Sequence, residues 1–370
     1  MGLAMETART KFLEQRQRRP EFQTGQLDQA DYSQYHLRLQ ELLISGKIED
    51  RVEQLLQELF PDCSSSREDD NLALSGYFEQ FELLEQIGQG AFSRVFKAID
   101  KNLGNRLVVL KTGRLIEQEP SIVGRLNHKH IMPVYSSWID ELGMTTICMP
   151  YLGRYTLQEK LTELRQRLRS ERPCQLVDVD SAVLWKKQPD YPGLIRILYE
   201  VCQALEYAHG QEVLHLDIKP SNVLIGFCGH ALLLDFNLAG DLLINKSPAG
   251  GTLSYMSPEH LRRCVLHQSE QLDVRSDIYS LGVLMFEMFY GFRPFESAGP
   301  AMRSRFQTQI ILQRQKRFHT LFETRSPGIP RALKRVIQRC LRFDPANRYA
   351  SLTDLKREIF KIGRRLGLEK

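Results

Sequence analysis

The sequence predicts an α+β protein of two unequal lobes, a small antiparallel β-rich lobe followed by a larger helical one, with a cleft between them. Two textures predict it. From about Phe78, the runs FELLEQIGQGAFSRVFKAID, RLVVLKTG and TTICMPYL read as strands of a twisted antiparallel sheet. After about Gly153 the period becomes helical, in YPGLIRILYEVCQALEYAH, SDIYSLGVLMFEMFYG and PRALKRVIQRCLRF. Strands segregated from helices along the chain call for separate layers rather than an interleaved parallel sheet. A length of 370 residues suffices for both lobes to bury a core.

Residues 1–60 are polar and charged, with a weak helical period in YHLRLQELL and DRVEQLLQELF, and read as a helical, partly disordered extension. Residues 61–77, opening on PDCSSSREDD, read as a linker, because Pro, Ser and charge leave nothing to bury. The globular part is expected to span 78–365, with the small lobe at about 78–150 and the large one at about 153–365. The extension is expected to regulate or to bind a partner.

Composition excludes several classes. A 42% hydrophobic and 26% charged content is that of an ordinary globular protein, and a net charge of +5 over 50 basic and 45 acidic residues implies no nucleic-acid partner. The seven cysteines are scattered without a CxxC pair, which fits reduced thiols and a cytoplasmic location. The opening MGLAMETARTKFLEQRQRRP lacks an apolar signal core, and Glu6 argues against myristoylation. The most apolar run, LGVLMFEMFY, is too short to span a bilayer and carries Glu287.

Two local patterns carry chemistry. Gly88-Gln89-Gly90, followed by Ser93 and Val95, would let a hairpin backbone approach phosphate oxygens, since no Cβ blocks it. Alone it is equally a Gly-rich turn. The sequel RVFKAID continues as a strand instead of opening a helix, which disfavours a dinucleotide fingerprint. Lys111, in the apolar strand VVLK, needs an anion, either a nucleotide phosphate or Glu119. Second, HLDIKPSN brings Asp217, Lys219 and Asn222 within six positions. By itself this could be an ion pair in a surface loop.

These motifs occur in the order of a protein kinase catalytic domain, and the chain from Phe78 onward resembles the eukaryotic-like (Hanks-type) Ser/Thr kinases of bacteria. The resemblance implies a two-lobed kinase fold with an ATP cleft. It implies that Ile87, Gly88, Gln89, Gly90, Ser93 and Val95 cover the nucleotide, and that Lys111, braced by Glu119, holds its phosphates. Met149 falls at the gatekeeper position, and with Tyr151 and Leu224 would line the adenine pocket. Asp217 would orient the attacking hydroxyl and Lys219 would neutralise the γ-phosphate. Thr252, in GTLSYMSPE, would contact both. Asn222 and Asp235 (in DFN) would hold Mg²⁺, with Mn²⁺ as an alternative. Asp277 would brace the catalytic loop, and Arg348 would pair with Glu259. Protein substrates bearing Ser or Thr are implied, with no nucleic acid and no membrane span. A regulatory partner would engage the extension or an insert at 166–191.

Departures from the family pattern bear on regulation. Leu216 replaces the arginine that reads a phosphorylated activation segment, which leaves Ser247 little to gain from phosphorylation. Ser93 replaces the third glycine and Asn237 the glycine of DFG, and Pro120 confines Glu119 to the start of its helix. Three readings stand at this point: an active kinase, a pseudokinase or nucleotide-binding scaffold, and a small-molecule kinase, which GTLSYMSPE disfavours. His128, His130 and Cys148 lack zinc-ligand spacing, His209 reads as a packed helix-end residue, and His215 reads as a brace against Phe236.

Overall fold

Apolar residues alternating with polar ones turn the first stretch of the globular chain into strands. The computed structural model describes residues 80–89, 93–113, 119–140, 144–170, 191–236, 240–241, 252–295, 305–322 and 329–367. The expected extension and linker, residues 1–77, lie outside these. The described residues belong to one compact unit, Gln80–Lys370.

Strands β1 (Phe81–Gln89), β2 (Ser93–Asp100), β3 (Arg106–Gly113), β4 (Ser136–Ile139) and β5 (Thr145–Pro150) form an antiparallel sheet in the order β1-β2-β3-β5-β4. The β1–β2 register shifts at Leu83/Glu85 and again at Gln86/Gly88, irregularities that add twist where the hairpin arches toward its tip. Strand β3 lies between two partners, with Lys111 opposite Val95 on one side and Ile147 on the other. A helix of only five residues, α1 (Glu119–Val123), follows. Pro120 sits in its first turn, where its missing N–H costs nothing, and its carbonyl accepts from Gly124 N at 2.8 Å.

Past the sheet come β6 (Gly153–Thr156), α2 (Leu157–Ser170), α3 (Tyr191–Gly210), β7 (Val213–Leu214), β8 (Val223–Gly226), β9 (Ala231–Leu233) and β10 (Gly240–Asp241). Strands β6-β8-β9 form a small antiparallel sheet, and β7 pairs with β10. At its edge a Cβ on Gly153 would lie 2.4 Å from the carbonyl oxygen of Ile225, so only glycine permits that approach. The insert expected from Gln166 needs correction: Gln166 to Ser170 complete α2, and the remainder, 171–190, lies outside the described residues.

Helices α4 (Pro258–Cys264), α5 (Val274–Tyr290), α6 (Arg305–Phe322), α7 (Arg331–Cys340) and α8 (Leu352–Arg365) complete the larger lobe. Helix α5 is buried on every side from Ser276 to Tyr290, which explains its near-continuous apolar run. A Cβ on Gly282 would come within 2.7 Å of Cys340 Cβ, so the glycine lets α5 pass close against α7. No helix among the described residues is long and apolar enough to cross a membrane. Cys148, Cys202, Cys228 and Cys340 are free thiols, while Cys63 and Cys174 lie outside the described residues. The expected α+β architecture, a β-rich lobe followed by a helical one, is the one observed.

Candidate active site

Asp277, in the first turn of α5, organises the site from below. Fully buried, it accepts from the backbone N–H of His215 and of Leu216, each at 2.8 Å, and from His209 Nε2 at 2.8 Å. Burial pushes its carboxyl up, but the His209 hydrogen bond and the donors around it hold it below the usual carboxylate range. His209, expected only to pack, is thus a ligand of this carboxylate. Leu216 has φ 62, a left-handed conformation that is costly for a branched side chain and is held here by the bond to Asp277. Its side chain packs in an apolar cluster with Leu214 and Leu272.

His215 is fixed at both nitrogens. Nδ1 accepts from Asp217 N at 3.2 Å, so Nε2 carries the proton and donates to the Leu234 carbonyl at 2.9 Å. Its ring packs on Phe236 with centroids 4.7 Å apart. With both nitrogens and the ring face engaged, this imidazole braces the loop, as the sequence suggests.

Asp217 collects donors from three directions. Lys219 Nζ reaches Oδ2 at 2.6 Å and Asn222 Nδ2 reaches the same oxygen at 3.2 Å, while Thr252 N reaches Oδ1 at 3.1 Å. Lys219 Nζ also donates to Thr252 Oγ1 at 3.1 Å. The proline turn Pro220–Asn222 allows this, because it folds Asn222 back so that Nδ2 also donates to the Asp217 carbonyl at 2.9 Å. Asp217, Lys219, Asn222 and Thr252 therefore form one hydrogen-bonded group.

Asp235 follows β9, whose exit is pinned by Leu234 N donating to the Asn222 carbonyl at 2.9 Å. With φ 71 it adopts a left-handed turn, and its carboxylate forms an ion pair with Lys111 Nζ from β3. Burial pushes the Asp235 carboxyl up; Lys111, helped by Lys219 and His215, overrides that and holds it below its ordinary value. The Glu119 side chain lies outside the described residues, so the expected Lys111–Glu119 pair does too; α1 does begin at Glu119.

The other residues expected to contact nucleotide lie on the five-stranded sheet and the segment that follows it. Gly88 and Gln89 pair with Val95 and Arg94 at the turn end of the β1–β2 hairpin, beside the exposed Ile87. Ser93 opens β2 opposite Gly113, and Gly90 lies outside the described residues. Met149 packs against a cluster of Met132, Leu224 and Leu232, which places an apolar surface under the sheet. Tyr151 stands edge-on to Phe227, centroids 5.6 Å apart, with Lys97 Nζ 5.2 Å from its own ring centre.

Beyond Thr252, the segment is anchored twice. Glu259 and Arg348 form a buried two-pronged pair at 2.7 and 2.9 Å, and Ser276 Oγ adds a bond to Glu259 at 2.9 Å. Tyr255 donates its hydroxyl to Glu287, which also accepts from Arg165 at 2.8 Å. Sequence reading missed this second anchor, and likewise Glu200, which accepts from Ala231 N at 2.7 Å and bonds His230 at 2.6 Å. A signal existed: Glu200 and Glu287 are carboxylates set within apolar helical faces, where a charge needs a partner.

A protein kinase domain model matches residues 81–360. The chain belongs to the protein kinase domain family. It is 26% identical over 332 residues to the serine/threonine-protein kinase PknD of Protochlamydia amoebophila, covering 81% of this chain and 31% of that protein. PknD of Chlamydia caviae is 27% identical over 314 residues, covering 76% and 31%. PknB of Mycobacterium tuberculosis is 24% identical over 303 residues, covering 77% and 43%. The chain thus spans about a third of the length of the PknD relatives and under half that of PknB.

Proposed function

We propose that this chain is a protein serine/threonine kinase that transfers the γ-phosphate of ATP to Ser or Thr hydroxyls of protein substrates in signalling, with the catalytic domain at 78–365. The observation that carries the proposal is the convergence on Asp217 of Lys219, Asn222 and the backbone of Thr252. Phosphoryl transfer needs charges held in place more than it needs covalent chemistry, and this group is held in advance of the reaction. Asp217 orients the attacking hydroxyl and accepts its proton; Lys219 offsets the developing charge on the transferred group; Lys111 holds the phosphates, with Glu119 as its proposed brace. Filled charged positions and a bonded Thr252 favour this over a scaffold without transfer.

Two hard oxygens fit a magnesium ion. The Asn222 carboxamide spends its nitrogen on Asp217, and its oxygen accepts no hydrogen bond among the described residues. Asp235 supplies a carboxylate that its surroundings keep ionised. Asn222 and Asp235 would hold Mg²⁺, and the ion, when bound, would supply positive charge to offset that of the phosphates.

The direct test is transfer of radiolabelled γ-phosphate to protein substrates, with Lys111→Ala as the inactive control. Absence of transfer across a broad set of Ser/Thr peptides, despite nucleotide binding, would leave the scaffold reading. Asp235→Asn should weaken Mg²⁺ more than nucleotide, so raising the metal should restore part of the rate; a rate indifferent to metal would remove Asp235 from the ligand set.

Leu216 adds a prediction about control. Buried among Leu214 and Leu272, it offers no charge for a phosphorylated segment to meet. Phosphatase-treated enzyme should therefore keep most of its rate. Ser247→Ala, at a position outside the described residues, should cost less than about tenfold, or about 1.4 kcal/mol in the barrier. A hundredfold loss in either experiment would mean that another basic residue has taken the role.

A further inference from the structure

The chain's positive charge is concentrated far along the sequence. Residues 331–365 hold eleven Lys and Arg against three Asp and Glu, a net +8, while the whole chain is only +5. Much of this charge lines one groove. Between α7 and α8 lies a hollow of about 820 Å³, which shares Arg335 and Arg339 with a second hollow of about 460 Å³ that extends to Arg342. Arg357, Lys361 and Arg365 form the wall on α8, and all six cations are exposed.

The floor differs from the rim. Val336 and Ile362 are buried residues that line it, and Tyr349 lies under Arg339, whose guanidinium is 4.2 Å from the ring centre. The two carboxylates in the wall are already matched along α8: Arg357 pairs with Asp354 at 3.2 Å and Lys361 with Glu358 at 2.8 Å. Arg335, Arg342 and Arg365 pair with no carboxylate among the described residues. Three cations thus remain for a ligand, set around an apolar floor.

We propose that the α7–α8 groove docks an acidic peptide segment of a protein partner, one that alternates carboxylates with apolar side chains. Guanidinium groups match carboxylates in a two-pronged geometry, and an extended chain sends alternate side chains to opposite faces, so it can fill the floor and meet the rim together. Ten residues of α7 span about 15 Å, room for about five extended residues. A nucleic-acid backbone fits less well: it carries charge at every step and would run against Asp354 and Glu358. An anionic membrane is flat and cannot reach the floor of a hollow. The site lies outside the Asp217 group, and the inference does not depend on the phosphate-transfer reading.

The test uses the full chain without nucleotide and a fluorescein-labelled twelve-residue peptide alternating Glu with Leu. Anisotropy should report binding that weakens with added salt. The double variant R335E/R342E replaces two exposed residues and should lower affinity at least tenfold. A peptide with Lys for Glu should show the reverse preference, favouring the double variant. Should that variant fail to melt like the wild type, R335A/R365A serves in its place. Unchanged binding by a folded variant would overturn the proposal. So would tighter binding of a single-stranded DNA oligonucleotide or of phosphatidylserine vesicles, if lost in the same variant, because the groove would then read a different anion.

Discussion

Asp217→Asn is expected to lower phosphate transfer by about a thousandfold while nucleotide binding stays within a few-fold of wild type. A positioned proton acceptor contributes roughly 10²–10⁴ in rate, and the amide that replaces it cannot serve. The surroundings of Asp217 add a second loss. Its two oxygens accept from Lys219, Asn222 and Thr252 N, and an asparagine offers one oxygen for these three donors. Whichever way the amide turns, its NH₂ faces a donor, so Lys219 or Thr252 loses its anchor. Nucleotide affinity should not follow, because Lys111 and Asp235 hold each other from elsewhere in the chain. Single-turnover transfer and calorimetric nucleotide binding measure the two quantities separately. A variant that retains more than a tenth of the rate would rule out Asp217 as the proton acceptor.

Legibility in the sequence followed the range over which each interaction acts. Asp217, Lys219 and Asn222 occupy one short loop, so their proximity is legible from spacing alone. Lys111 and Asp235 are 124 residues apart, and no periodicity connects them; the order of motifs assigned both to one site through the family resemblance, but not the ion pair between them. Strand β3 was legible because its apolar run is buried between two neighbours, whereas the four residues of β4 were too few for a pattern. The end of helix α2 was placed too early, at about Gln166, because Leu157, Leu161 and Leu164 are its main apolar positions and the residues after them are mostly charged or polar. The left-handed backbone of Leu216 had no signal at all. Leucine is a poor choice for φ 62 on its own preference, and only Asp277, 61 residues on, makes that conformation hold.

Distant carboxylates of this kind also set how the larger lobe responds to acid, and Arg348→Met should expose that dependence. Arg348 is buried and makes two bonds to Glu259, besides donating to the carbonyls of Arg342, Arg275 and Phe343 at 2.8, 2.9 and 3.1 Å. Removing one partner of a buried pair costs about 3–5 kcal/mol, because the other charge stays desolvated. In the wild type, burial pushes the Glu259 carboxyl up, but the Arg348 bonds outweigh it and hold the group below its ordinary 4.5. Its contribution to stability is therefore present above the unfolded value and is lost as pH falls through the lower folded one. Without Arg348 the cation is gone and burial dominates, so the carboxyl moves up; the variant is penalised at neutral pH and relieved once Glu259 takes a proton. The stability gap between the two proteins should thus be widest near pH 7 and shrink steadily toward about pH 4. The orphaned carbonyls do not titrate, so they account only for the part of the gap that persists in acid. Urea unfolding at several pH values separates the two parts, and a gap that stays constant across that range would show that Arg348 acts through packing and backbone contacts rather than through the charge on Glu259.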